Sequence, residues 1–228
     1  MYIKGRYHRD DLMATLIGDN LSMLLVVSCF GLPLGVADRT VEQVCREGGV
    51  QSASFLAVVN LLLRSEDSRY EPSLEGVDVN DILKYLTKSH SYYLDRKLPR
   101  IGEKLRLALG EDKISELIMR NFDEYVDGMR EHIGSEESEV FEYIKRLQSA
   151  DGRRPVAVSG EVETDHDYVG ESLTELKHLI IRYYSGGDSL ELVSVIHDLF
   201  AIAQDLALHT CVEDRLLAPL IRKIEEER

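Results

Sequence analysis

Two histidine–carboxylate pairs carry the clearest chemistry in this chain: His132 with Glu136, and His209 with Glu213, each four residues apart. On a helix, residues so spaced lie one turn above the other on a single face. An imidazole nitrogen and a carboxylate oxygen presented together can grip one metal ion. His90 and His166 fall in two further long helical patterns, so each of four helices offers one histidine. Four imidazoles and two carboxylates are enough to hold a pair of metal ions inside a bundle. That donor set suits iron, and less decisively manganese or zinc. Bridging by Glu136 and Glu213 would bring two cations close while cancelling part of their charge. Positions would remain open for small ligands such as dioxygen or nitric oxide.

Blander explanations compete. Around His132, the neighbours Glu131, Glu137 and Glu139 suit a solvated helix face. His209 and Glu213 sit between Leu206, Leu208, Leu216 and Leu217, in a segment expected to be half buried. A carboxylate there needs a partner. Glu131, Asp165 and Asp205 are available to orient the ligating rings. His8, His178 and His197 lack such company and read as surface residues. Glu163-x-x-His166 and Glu175-x-x-His178 share one helix, so they do not close a ferritin-type site. No His-Glu-x-x-His motif and no serine or cysteine nucleophile motif is present.

The elements that must position these side chains are helices. Hydrophobic periodicity predicts four long ones, over about residues 80–109, 113–148, 161–184 and 189–226, with Pro99 marking a local irregularity in the first. Ser189 is placed to cap the last. Short connections make neighbours antiparallel, giving an up-down-up-down bundle. On that topology His90, His132 and His209 fall at similar heights, and His166 closer to its helix start. Before the bundle, residues 1–70 read as a small domain of short helices. One covers residues 11–29 and ends at Gly31-Leu32-Pro33. A second is opened by a Thr40–Gln43 capping box, and a third by Ser52. Residues 66–77 are polar, hold Pro72 and Gly76, and read as a linker. The expected domains are therefore 1–70 and 78–228, and the fold class is all-α.

Charge narrows the partners. Acidic residues outnumber basic ones 41 to 27, for a net charge of -14. Such a surface repels phosphate backbones and anionic lipids, so neither nucleic acid nor membrane is an expected partner. Residues 21–37 are mostly apolar but short and interrupted, and read as a buried helix. Three cysteines, Cys29, Cys45 and Cys211, make no CxxC pair and suit buried thiols in a reducing, cytoplasmic setting.

At these residues the chain resembles the hemerythrin-like family, and within it the bacterial repair-of-iron-centres proteins. The matching pieces are His90 followed by Leu98-Pro99, His132-Ile133-Gly134-Ser135-Glu136, Asp165-His166-Asp167-Tyr168-Val169-Gly170, and His209-Thr210-Cys211-Val212-Glu213 followed by Leu216-Leu217-Ala218-Pro219. The resemblance implies a non-haem centre of two iron ions, with His90, His132, His166 and His209 as ligands and Glu136 and Glu213 bridging. Gly170 stands where hemerythrins proper carry a further histidine, which opens the site. Asp214 competes with Glu213, and the repair-type spacing favours Glu213. Residues 30–41 resemble the small N-terminal domain of the repair proteins, with Gly35-Val36 where that family has adjacent cysteines.

Two functions follow as expectations. The first is iron donation to damaged iron–sulfur proteins, or binding of nitric oxide or dioxygen, under nitrosative or oxidative stress. The second is a sensing adaptor whose bundle detects dioxygen, nitric oxide or iron while the apolar N-terminal helices dock on a regulatory protein partner.

Overall fold

The computed structural model describes residues 6–148, 166–184 and 189–227, with the backbone alone for 166–172 and 189. The chain is all-helical. Among the described residues the only extended pairing is an isolated antiparallel bridge between Leu12 and Thr40. The chain divides into two compact units, residues 1–89 with 208–228, and residues 90–207.

The first unit begins with short helices α1 (Met13–Asp19), α2 (Met23–Cys29), α3 (Val41–Glu47) and α4 (Ser52–Leu62). The single helix expected over 11–29 is thus two. Asn20 ends α1 in an extended conformation, and Asp19 accepts a hydrogen bond from the Tyr7 hydroxyl at 3.0 Å. The turn after α2 puts Gly31 at φ +72°, a conformation glycine adopts without steric cost. Thr40 and Gln43 form the capping box. Ser52 does not cap α4; Gln51 holds that position, and the Ser52 hydroxyl donates to the Glu42 carboxylate instead.

Phe30 joins this cluster to the first long helix. Its ring packs edge-on against Phe55 at 5.4 Å and stacks on Tyr85 at 5.0 Å. Tyr85 belongs to α5 (Val79–Tyr92). Asp81 at the start of α5 accepts the Gln51 N–H at 2.8 Å. Residues 66–77 carry no helix, as their composition predicts.

The second unit is a four-rod bundle. Its first rod is the end of α5, a π-helical segment Tyr93–Lys97 and α6 (Leu98–Ala108). The next is α7 (Lys113–Ser135), a π-helical segment Glu136–Phe141 and α8 (Glu142–Gln148). The third is α9 (His166–Tyr183), and the fourth is the part of α10 (Ser189–Val212) up to Ala207. One apolar core draws on all four, with Leu98, Ile101, Phe122, Met129, Leu173, Leu176, Leu199 and Ile202 buried in it.

Cross-rod bonds fix the directions. Tyr93 donates to the Asp205 carbonyl at 3.1 Å, while Lys104 donates to Ser194 at 3.2 Å and to Asp198 at 2.7 Å. Rising numbers on the first rod meet falling numbers on the fourth, so these two are antiparallel. Tyr184 donates to the Ala108 carbonyl at 3.2 Å and accepts the Gly110 N–H at 3.0 Å. The first and third rods therefore finish together, as alternation of direction requires. The α10 chain continues through a π-helical segment Glu213–Leu217 into α11 (Ala218–Glu226). By length and composition Leu190–Glu226 could cross a membrane, but core helices of bundles pass the same test.

The irregularity expected at Pro99 is real and recurs. Each of the three π-helical segments starts at or just after a candidate ligand: Tyr93 follows His90, and Glu136 and Glu213 are themselves first residues. Two of them precede a proline at the start of the next α-helix, Pro99 in α6 and Pro219 in α11. Proline lacks an N–H and its ring crowds the carbonyl four residues back. The ladder shifts instead: Leu98 N–H bonds Tyr93 O, and Ala218 N–H bonds Glu213 O, five residues back in each case. Such wide turns are rare and concentrate at functional sites.

Inside the bundle core, the Tyr125 hydroxyl has no hydrogen-bond partner among the described residues. Burial pushes its phenol well above the usual range. An unsatisfied buried hydroxyl is a stability cost. Tyr125→Phe is therefore expected to leave folding stability unchanged or raise it by up to about 1 kcal/mol, measured by urea denaturation. A loss of stability would show that the hydroxyl is satisfied in solution.

Candidate metal centre

Three of the candidate ligands meet in the bundle unit. His132 Nε2 lies 3.1 Å from Glu136 Oε1, the intrahelical pair expected from the spacing. His90 Nε2 lies 3.5 Å from the other oxygen, Glu136 Oε2. Glu136 is 4 % exposed and His90 2 %, so neither is on a solvated face. The wide turn beginning at Glu136 helps carry this carboxylate inward, although Glu137 and Glu139 flank it.

The second pair is buried at both members, with His209 6 % and Glu213 4 % exposed. His209 Nε2 lies 3.0 Å from Glu213 Oε1. Asp214 is exposed, so of the two adjacent carboxylates Glu213 is the one turned to the histidine. Each unit thus presents a buried carboxylate against imidazole nitrogen: Glu136 with His90 and His132 in one, Glu213 with His209 in the other.

These separations fit a shared cation. Two donors each about 2.1 Å from one ion, at a right angle, stand about 3.0 Å apart. Hydrogen-bonded ion pairs have similar lengths, so the donor set matters more. Glu136 and Glu213 are both buried, each within reach of an imidazole nitrogen. A cation held by buried carboxylates and imidazoles offsets the cost of burying them. The residues present therefore fit a metal ion of the iron, manganese or zinc type.

Two of the rings are held from behind. Ser89 Oγ lies 2.8 Å from the Leu86 carbonyl and 2.9 Å from His209 Nδ1. A hydroxyl has one proton to give. Donated to Leu86, it leaves Oγ to accept Nδ1–H, and His209 then turns the lone pair of Nε2 toward Glu213 and any cation. His90 Nδ1 bonds Glu137 Oε1 at 2.9 Å, a carboxylate–imidazole arrangement that fixes the ring and raises its basicity. The His90 ring also stacks on Phe141 at 5.7 Å.

These partners are not the ones the sequence suggested. Glu131 is exposed. Asp205 contributes its backbone carbonyl to Tyr93, and burial raises the pKa of its carboxyl against the opposing pull of Lys97. Asp165 and the side chain of His166 lie outside the described residues; the His166 backbone opens α9. His8, His178 and His197 are exposed, in line with the surface reading.

Removing a ring's partner costs roughly 10- to 100-fold in metal affinity. Ser89→Ala is expected to weaken ferrous ion binding by that factor with the helix content unchanged. Titration of the anaerobic protein, with circular dichroism as control, measures both.

The chain matches no curated protein and no solved structure. It does match the family model for the hemerythrin HHE cation-binding domain over residues 81–221. That stretch covers more than half of the chain and contains all six candidate ligands. A helical bundle, a buried histidine–carboxylate cluster and this match agree: the chain belongs to the hemerythrin HHE cation-binding domain family, and is a metal-binding protein of the kind that takes iron.

Proposed function

We propose that this protein carries two non-haem iron ions, held by His90, His132, His166 and His209 with Glu136 and Glu213 between them, and acts in nitrosative or oxidative stress. The observation that carries the reading is the buried Glu136 carboxylate, with one oxygen on His132 and the other on His90. His166 enters from the Asp165-His166-Asp167-Tyr168 motif through which the sequence resembles the family. When bound, such a centre supplies redox chemistry and open positions for nitric oxide or dioxygen, or iron for transfer to iron–sulfur proteins.

The chain's own residues do the rest. Ser89 and Glu137 hold two rings with their Nε2 atoms facing carboxylates. Leu98, Val140, Phe141, Val212 and Leu216 are buried and line the neighbouring turns with apolar surface, which excludes water. Gly170, in the place of a further histidine, leaves the donor set smaller than an oxygen carrier's. That favours iron release or small-ligand exchange, as in the repair-of-iron-centres proteins that the sequence resembles. A cytoplasmic location is part of the same proposal.

The sensing reading has a weaker basis. In the apolar stretch 21–36, Met23, Val26, Val27, Phe30, Leu32 and Val36 are buried inside their own unit, which leaves Leu21, Leu24 and Leu34 exposed for docking.

Iron analysis of anaerobically purified protein tests the proposal, together with an absorption spectrum of the air-oxidised sample. Two irons per chain and ferric bands in the near ultraviolet are expected. Far fewer than two after reconstitution would count against it.

A further inference from the structure

The π-helical turn that starts at Glu213 is held on its other side by a loop from far away in sequence. Arg215, two residues on, points its guanidinium into the loop 65–70. Nη1 donates to the Ser65 carbonyl at 3.0 Å, and Nη2 donates to the Asp67 carbonyl at 2.8 Å and the Tyr70 carbonyl at 2.5 Å. Nη1 also lies 3.8 Å from Cys211 Sγ, one turn back on α10. All of these residues belong to the same compact unit.

Three carbonyls of one short loop converging on one side chain is a specific arrangement. The Asp67 carbonyl also accepts the Tyr70 N–H at 3.0 Å, so the guanidinium reinforces a turn that the loop already makes. A planar guanidinium, with five N–H groups in a fixed fork, can serve several at once. Side chains two residues apart on a helix do not share a face. Glu213 accordingly faces His209 while Arg215 faces the loop. The five-residue turn is therefore gripped from both sides.

We infer that Arg215 is a positioning residue for Glu213, and that the loop 65–70 closes more firmly when the metal is bound. The inference rests on the proposal above that Glu213 is a metal ligand. The wide turn, bonded from Ala218 N–H to Glu213 O, has left the regular α ladder, so side chains at both faces help fix its register. A cation at Glu213 holds the turn in the register that presents Arg215 to the loop. The closed loop, through Arg215, holds Glu213 in the register that presents it to the cation. Linkage makes the two effects equal in size.

Trypsin reads the loop directly, because Arg69 lies within it and its side chain is 94 % exposed. The full-length chain is prepared anaerobically, with and without ferrous ion, and cleavage after Arg69 is followed by mass. Ferrous ion is expected to slow that cleavage about tenfold, a typical coupling. Arg215→Lys keeps the charge but not the fork. It is expected to abolish the protection and to weaken ferrous binding by the same factor, with unchanged circular dichroism. Ferrous binding with no change in cleavage of the unaltered chain overturns the inference while leaving the metal reading intact. So does an Arg215→Lys protein that keeps both protection and affinity. Should that variant not fold, the unaltered chain's cleavage rates decide alone. No ferrous binding at all by the unaltered chain sinks the metal reading and this coupling together.

Discussion

Glu213→Gln is expected to lose ferrous binding by at least about 100-fold, the upper end of what losing a mere ring partner costs. The same substitution is expected to leave the metal-free protein no less stable. The two results have one cause. Glu213 is 4 % exposed and stands 3.0 Å from His209 Nε2. If it exists for a metal, the empty site buries a carboxylate for no structural gain, and a neutral amide of the same shape relieves that cost. If the His209–Glu213 contact is instead a structural ion pair, Glu213→Gln breaks a buried pair and destabilises by roughly 3–5 kcal/mol. Iron stoichiometry and urea denaturation of the metal-free protein separate the two cases. Destabilisation with unchanged iron content would return His209 and Glu213 to the role of ordinary core residues. Glu136→Gln is the companion experiment, since Glu136 contacts both His90 and His132.

The sequence disclosed most where local periodicity and local chemistry agree. The four rods follow from hydrophobic spacing, and both His–Glu contacts from the stacking of residues four apart on a helix. Thr40 and Gln43 form their capping box because that motif is decided within four residues. The reading lost ground where the deciding contact is long-range. A serine in a helix could face anywhere; Ser89 matters because a residue 120 positions later brings Nδ1 to it. Glu137 looked solvated among neighbouring acids, yet the wide turn that starts one residue earlier leaves it against His90. That turn has no proline within it or in the helix that follows, so nothing local announces it, whereas Pro99 did mark its counterpart. The linker composition of residues 66–77 was legible, but the guanidinium holding it was not, because Arg215 looks like any charged residue on a helix. Asn20 interrupts a helix that periodicity alone would have continued, since apolar spacing does not register where the backbone turns extended.

Stripping the metal is expected to lower the melting temperature by roughly 8 to 16 °C. A ligand that binds the native state at about 1,000 times its dissociation constant adds about 4 kcal/mol. In a chain of this length each kcal/mol moves the midpoint by roughly 2–4 °C. The loss should be carried by the site, not spread over the molecule. The apolar core of the bundle, from Leu98 and Ile101 to Leu199 and Ile202, contains none of the six ligands and should survive chelation. The regions that loosen should be those tied to the donors: the turns beginning at Tyr93, Glu136 and Glu213, and the end of α5 around Ser89. Calorimetry of loaded and chelated protein gives the shift, and amide hydrogen exchange locates it. An equal midpoint with and without iron would mean that the buried donors of each unit are stable without a cation. The His90–Glu136 and His209–Glu213 contacts would then have to be self-sufficient ion pairs, which is what Glu213→Gln would reveal independently as a loss of stability.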